Sequence, residues 1–547
     1  MHEISLAVMH HPARSAALPA LLAACAPLTV QVVTDPQPQG PPSPLRTAKR
    51  AWAAVRDGAT HHLVLQDDVT PEPGFAAQLA HVLAARPDHA VALYVNWNTP
   101  YNSYLARRAA ASGAPFAPLH PREWVPALGL ALPAPAARDL ARHLARYPDE
   151  LKDDDELIAE FCAAAGLPVL AAVPHLLEHG EGPSLADNSA HGARHAAVPM
   201  NGRRPGPAHW RRPDPPRRHR PGTARAYAVE LVRSRCVIRI ARPGEPVGHP
   251  YTWPWADWAQ LVGADPGELR AALDGTVPPA GVPADTAREV WAAGWLLGFD
   301  AAPLTGSPGP TRAALRSWLC AGLDEPDLRS LDEPLLDALT TFAEHALESG
   351  AKAAPPAPAA DAPPPDASPS PHLEPPTRPR PPGTAADPLA RLARREAELL
   401  TAVAVDRSPA LAVRGLPCPH CPAGPADLAR SLARLPMERL RLLGPGEDPG
   451  PDEAELALLH CELPDTRPLL PLLTRTWPDG PPRLVSRAAG PHPGRPSALD
   501  RAEADPHPAA PVPLPATLRR LHDCPRPDLA DDPRYRELRT AAVRSLL

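Results

Sequence analysis

Over the first two hundred residues, apolar positions follow two alternating patterns. Short apolar runs of strand length recur at Ile4 to Val8, Leu28 to Val33, Leu63 to Leu65, Ala90 to Val95, Trp124 to Leu132 and Pro168 to Val173. Between them lie stretches with helical spacing, at Ala16 to Ala24, Leu45 to Arg56, Pro73 to Ala84, Ala136 to Arg146 and Asp154 to Ala165. In the last of these Leu157, Ile158 and Phe161 form one apolar face. Strands alternating with helices predict an α/β domain built on a mostly parallel sheet.

Beyond residue 200 the pattern breaks. Residues 201–225 combine proline with clustered arginine (Arg203, Arg204, Arg217, Arg218, Arg220), the composition of a basic linker. Residues 226–350 predict a mainly helical unit, with a strand from Tyr227 to Ile240 and a cluster of Trp253, Trp255 and Trp258. Those rings suit a small core better than a stacking platform. Residues 351–385 are rich in proline and alanine with scattered acids and serine, and predict a disordered tether that offers a docking place for protein partners. Residues 386–547 open with a helical stretch, Leu389 to Ala402, and form a proline-broken, weakly structured region.

Composition narrows the class. The chain has 547 residues and 82 prolines, about three times the usual ~5 % share. A net charge of −6 excludes a globally basic nucleic-acid binder. Eight cysteines in this length are too sparse for a disulfide scaffold and fit reduced thiols. The first residues pass directly into a strand without a basic and apolar leader, and no window reaches ~18 apolar residues. The expectation is a cytoplasmic protein with no transmembrane segment and no nucleic-acid partner.

The run His61-His62-Leu63-Val64-Leu65-Gln66-Asp67-Asp68-Val69 changes the picture, because a buried strand stops on two adjacent carboxylates. Open α/β sheets place ligands at that carboxyl edge. Paired acids repel each other and need a cation or hydrogen-bond donors. A hard divalent ion such as Mg²⁺ or Mn²⁺, shared with a substrate phosphate, meets that need; an ordinary acidic strand-end turn is the plain alternative. Arg46 and Lys49, on the next helix upstream, are candidates to contact a diphosphate, or else lie on a solvated face. The triplet Asp153, Asp154 and Asp155 opens the helix ending near Ala165, where acids also act as an N-terminal cap.

Four segments together resemble a known family. Asp68-Val69 with Gly74-Phe75, then Gly129-Leu130-Ala131-Leu132-Pro133, then Asp154-Asp155-Glu156-Leu157 followed by Gly166-Leu167-Pro168-Val169, and last Pro174-His175-Leu176-Leu177-Glu178-His179-Gly180 with Ser184 are similar to GT-A-type glycosyltransferases. The nearest pattern is family 25, the lipopolysaccharide type, over about residues 3–200. The resemblance implies a Rossmann-like GT-A domain at 1–200 that moves a sugar from a nucleotide-diphosphate sugar to an acceptor hydroxyl, with Mn²⁺ or Mg²⁺. It implies Asp68 as a metal ligand, Asp67 as a second ligand or a ribose contact, and His179 as a third ligand, with His175 as the other candidate for the histidine role. Asp154, Asp155 or Asp153 would take the acceptor proton.

Gln66 departs from the pattern, standing where the family has an acid; an amide still reaches a ribose hydroxyl but holds a metal poorly. A non-catalytic interaction protein on a degenerate nucleotide-binding domain is therefore the alternative function. Cys418-Pro419-His420-Cys421 has the spacing of half a zinc site, with His460-Cys461 far along the chain.

Overall fold

Every one of the seven positions of β1 (Ile4–His10) is buried. A strand with no exposed face belongs inside a sheet covered on both sides. In the computed structural model of the chain, β1 pairs in parallel with β2 (Val30–Thr34) and with β3 (His61–Gln66). The structure describes residues 3–214 except 122, 150–153, 181, 183–184, 186–192 and 203, then 227–240, 253–301 and 310–355. Beyond these it describes only 393, 397, 411–416, 440–443, 447, 450, 454–459, 483–484 and 533–546.

The first part of the chain continues through α1 (Leu18–Ala24), α2 (Pro44–Ala53), β4 (Val69–Pro71), α3 (Phe75–Ala85), β5 (Ala90–Ala92), α4 (Pro100–Ser112) and β6 (Phe116–Pro118). It ends with β7 (Gly129–Pro133), α5 (Ala134–Leu144), α6 (Asp154–Ala164), β8 (Val169–Ala172) and β9 (Leu177–His179). Seven strands form one sheet in the order β2-β1-β3-β7-β5-β8-β6. β7 runs antiparallel to β3 and β5, and β6 antiparallel to β8, while β5 and β8 are parallel. Five strands thus share one direction and two oppose it, so the sheet is mixed but mostly parallel.

Period-two alternation assigns the two faces. Leu6, Val8, Leu63 and Leu65 pack with Leu21 of α1 and Phe75, Leu79 and Val82 of α3. Ala7, Met9 and Val64 pack on the other side with Leu45 and Trp52 of α2, Leu140 of α5, and Ile158 and Phe161 of α6. The chain leaves β1 for β2, then returns past β1 to β3, so strand order reverses between β1 and β3. β4 and β9 form a separate antiparallel pair.

Several features differ from the sequence expectation. α4 was not expected; Thr99 caps it by accepting from Ser103 N (3.1 Å), and the buried Glu123 carboxylate accepts from Asn102 N (2.5 Å). The run expected as a strand from Trp124 begins only at Gly129. Part of the expected linker at 201–225 is docked: Trp210, in α7 (Pro207–Trp210), is fully buried and donates to Gln78 Oε1 (2.8 Å). A single indole buries enough apolar area to fix a polar, proline-rich segment; residues 203 and 215–225 lie outside the described residues.

Contacts divide the chain into two compact units. The first joins Met1–Arg218 to Ala228–Cys236 and Gly267–Ala357, so most of the expected 226–350 helical unit packs with the sheet. The expected long strand is two, β10 (Tyr227–Val232) and β11 (Arg235–Ile240), because Arg233 (φ 48°) and Ser234 (φ 60°) turn the chain. β12 (Trp253–Pro254) and α8 (Trp255–Trp258) fall within the second unit, and the first resumes with α9 (Pro266–Asp274), α10 (Ala284–Asp300), α11 (Thr311–Gly322), α12 (Glu325–Ser330) and α13 (Glu333–Ala353). Tyr104 of α4 donates to Asp300 of α10 (2.8 Å), and Ser317 of α11 donates to the Ala197 carbonyl.

The second unit holds His219–Tyr227, Val237–Pro266 and Pro358–Leu547. It contains four parallel strands in the order β14-β13-β15-β16, with β13 at Leu411–Leu416, β14 at Leu440–Leu443, β15 at Ala454–Leu459 and β16 at Arg483–Leu484. More order is present here than the proline-broken sequence suggested. Cys418, Cys421, His460 and Cys461, the expected half zinc site and its distant partners, lie outside the described residues, as does most of the 351–385 tether. Among the described residues no helix is long and apolar enough to cross a membrane.

Candidate functional site

β3 delivers Asp67 and Asp68 to the carboxyl edge of the sheet, beside the point where strand order reverses. That crevice is the usual ligand position of open α/β sheets. The two acids have different surroundings. Asp67 is buried, with Oδ2 accepting from His11 N (2.7 Å) and lying 3.1 Å from His10 Nδ1. Its Oδ1 accepts from Arg14 Nη1 (3.0 Å). Both of its oxygens are therefore already engaged by the end of β1 and the 3₁₀ turn Pro12–Arg14 that follows.

Asp68 is less satisfied. Its Oδ2 lies 3.0 Å from Arg14 Nη1 and 3.6 Å from His179 Nε2. Its Oδ1 is buried with no hydrogen-bond partner among the described residues. His179 arrives through the pairing of β4 with β9, in which Val69 stands opposite His179. Gly180 N donates to the Asp68 carbonyl (2.7 Å), and a Cβ on Gly180 would lie 3.0 Å from that oxygen, so glycine permits the close approach.

The imidazole orientation follows from its other nitrogen. His179 Nδ1 lies 2.6 Å from the Gly180 carbonyl, which can only accept, so Nδ1 carries the proton. Burial pushes the His179 pKa down, against the opposing pull of Asp68. The ring is then neutral and turns its Nε2 lone pair toward a carboxylate oxygen. Two electron-rich atoms facing each other, one of them on a carboxylate with an unmet buried oxygen, form a donor pair suited to a cation. A backbone carbonyl holding the far ring nitrogen is the usual support of a ligating histidine. Asp68 and His179 could supply two of the ligands of a hard divalent ion, with the rest coming from outside the protein. Asp67 does not join them, and no group of three His, Cys, Asp or Glu among the described residues is arranged to hold a metal by itself.

No family model and no curated protein matches this chain.

The other expected site residues take these places. Gln66 ends β3, half-buried, with its N–H donating to the Leu128 carbonyl (3.0 Å). Arg46 is committed to Asp35 through Nε (2.8 Å) and Nη2 (2.9 Å), a bidentate pair that holds the Asp35 carboxyl below its usual range. The same guanidinium donates to the Gln37 and Pro41 carbonyls, so it pins the proline loop after β2 instead of facing a diphosphate. Lys49 pairs with Asp149 (2.5 Å). Asp154 is buried and Asp155 half-buried at the head of α6, which packs on the opposite face of the sheet from β4 and β9. Asp153 lies outside the described residues.

His175 is fully buried, its Nδ1 donating to the Ala172 carbonyl (2.8 Å), and burial pushes its pKa down to about 4. The folded ring is neutral, whereas an unfolded histidine titrates near 6.5. Between these values the unfolded chain binds more protons, so stability is lost as pH falls from about 6.5 toward about 4. The contribution is on the order of 3 kcal/mol. Urea unfolding of the wild type and of His175→Phe across that window is expected to give a shallower pH slope in the variant. Equal slopes would refute it.

His10, His11 and Arg14 are site neighbours that the sequence pattern did not single out. The signal was present, since His10-His11-Pro12 follows an apolar strand as directly as Asp67-Asp68 does. The buried Tyr94 was missed too; its ring lies 6.4 Å from both His175 and His179, and its hydroxyl donates to the Arg194 carbonyl.

Proposed function

We propose that the first unit is a glycosyltransferase of the GT-A type, binding a nucleotide-diphosphate sugar at the carboxyl ends of β1 and β3 and transferring the sugar to an acceptor hydroxyl. The observation that carries this is the Asp68–His179 pair, with a buried unmet carboxylate oxygen and a neutral imidazole lone pair at the strand-order reversal. The four resembling segments support the same reading, since two of them, around Asp68 and around His179, meet in space through β4 and β9.

The chain's own residues divide the work. Asp68 and His179 would hold Mn²⁺ or Mg²⁺, which when bound neutralises charge on the departing diphosphate. Asp67 holds His10, the His11 N–H and Arg14 at the end of β1, a structural role in place of a ligand's. The family resemblance assigns the acceptor proton to Asp154, which opens α6 on the other face of the sheet, so this role draws on the resemblance and not on the Asp68–His179 geometry. Val69, Leu176 and Leu177, buried in the core beside Asp68 and His179 in the chain, fix the β4 and β9 pair that carries the site.

The interaction-protein alternative draws on one observation: Arg14 bridges both acids, which is compatible with a module that binds no ion. Calorimetry of the full chain against nucleoside diphosphates and nucleotide sugars, with and without Mn²⁺, separates the two. Tight binding of one nucleotide sugar that requires Mn²⁺ is the expected result. If every nucleotide fails in both conditions, the transferase reading is refuted and the interaction reading stands.

A further inference from the structure

Arg14 has a place in the site that the proposed reaction does not explain. Its Nη1 lies 3.0 Å from Asp67 Oδ1 and 3.0 Å from Asp68 Oδ2, with 18 % of the side chain exposed. One guanidinium nitrogen thus bridges two adjacent carboxylates where their negative charges add. The 3₁₀ turn that carries it is fastened at its start, since His11 N donates to Asp67 and His11 Nδ1 accepts from Ala13 N (3.2 Å). The turn is held while the long side chain spans the gap.

Among the described residues Arg14 is the side chain that pairs with both acids, and Asp68 Oδ1 is left there without a hydrogen bond. A divalent ion would answer both charges, but a cation on Asp68 and a guanidinium on the same carboxylate repel each other.

We propose that Arg14 is the resident cation of the acid pair, and that a divalent ion reaches Asp68 and His179 only by displacing its guanidinium. This rests on the assignment of Asp68 and His179 as ion ligands. Displacement costs the Arg14–Asp68 contact, so the free protein binds the ion weakly. A diphosphate offers the released guanidinium a new anion at the same crevice, so nucleotide and ion strengthen each other's binding. Arg14 is thereby a switch between a closed acid pair and a phosphate-binding state.

Mn²⁺ binding to the full chain, followed by the paramagnetic resonance signal of the free ion, tests this in the absence of nucleotide. Arg14→Gln is expected to bind Mn²⁺ at least about tenfold more tightly than wild type, and Arg14→Lys to resemble wild type. Equal or weaker binding by Arg14→Gln overturns the proposal while leaving the ion site intact; no binding by either protein overturns both. A second measurement needs no variant. Labelling of wild-type Arg14 by an arginine-directed dicarbonyl, located by peptide mass spectrometry, is expected to accelerate when Mn²⁺ is added. Unchanged or slower labelling would count against displacement.

Discussion

Replacing Asp68 with asparagine is expected to remove Mn²⁺-dependent nucleotide-sugar binding and to lower turnover by on the order of 10²–10³-fold. The substitution keeps shape and removes one charge. Asp68 has one oxygen shared by Arg14 and faced by His179, and a second that is buried without a partner. An amide in that place offers one weak oxygen donor and turns N–H groups toward the guanidinium or the imidazole. Fold stability should change little, because Asp67 retains Arg14, His10 and the His11 N–H. The loss should therefore appear in calorimetry and in single-turnover transfer, with an unchanged thermal melt. A variant that binds nucleotide sugar and Mn²⁺ as wild type does would remove Asp68 from the site.

Gly298→Ala is expected to destabilise the first unit by at least about 3 kcal/mol, the upper end of ordinary overpacking. α10 and α13 meet backbone to backbone. A Cβ on Gly298 would lie 1.9 Å from the Leu347 carbonyl oxygen, and one on Gly350 would lie 1.9 Å from the Trp295 carbonyl oxygen. Gly294, one turn earlier in α10, would place a Cβ 2.8 Å from the Ala343 carbonyl oxygen. These are backbone atoms, so relief requires the helices to part. Alanine gains about 1 kcal/mol in helix propensity over glycine, which offsets only part of the clash. Parting would also disturb Asp300, which accepts from Tyr104 and pairs with Arg108 of α4 (3.5 Å). Urea unfolding reads the loss, with Gly206→Ala as the control, since nothing lies within 4 Å of a Cβ there. Equal midpoints for the two variants would mean the helix contact is looser than described.

Much of the fold could be read from the chain because its causes are local. The buried run of β1, the period of α2 and α5, and the acids that follow β3 each depend on neighbouring residues. The sequence alone therefore specified an α/β sheet and an acid pair at its carboxyl edge. It did not reveal α4, whose helical stability draws on Glu123 from beyond its own end, or the docking of Trp210, whose partner Gln78 lies on α3. Nor did the residue pattern itself separate Asp67 from Asp68, which only the family resemblance ranked. Adjacent and chemically identical, the two differ only in what arrives from elsewhere: the end of β1 at Asp67, and β9 with His179 at Asp68. Arg46 shows the converse, a basic residue in a suggestive place that tertiary contact commits to Asp35. Local pattern carries periodicity and strand ends, because those depend on the next few residues. Which groups converge, and which of their lone pairs stay unmet, depends on pairings across more than a hundred residues, such as that of Val69 with His179, and only the folded chain decides them.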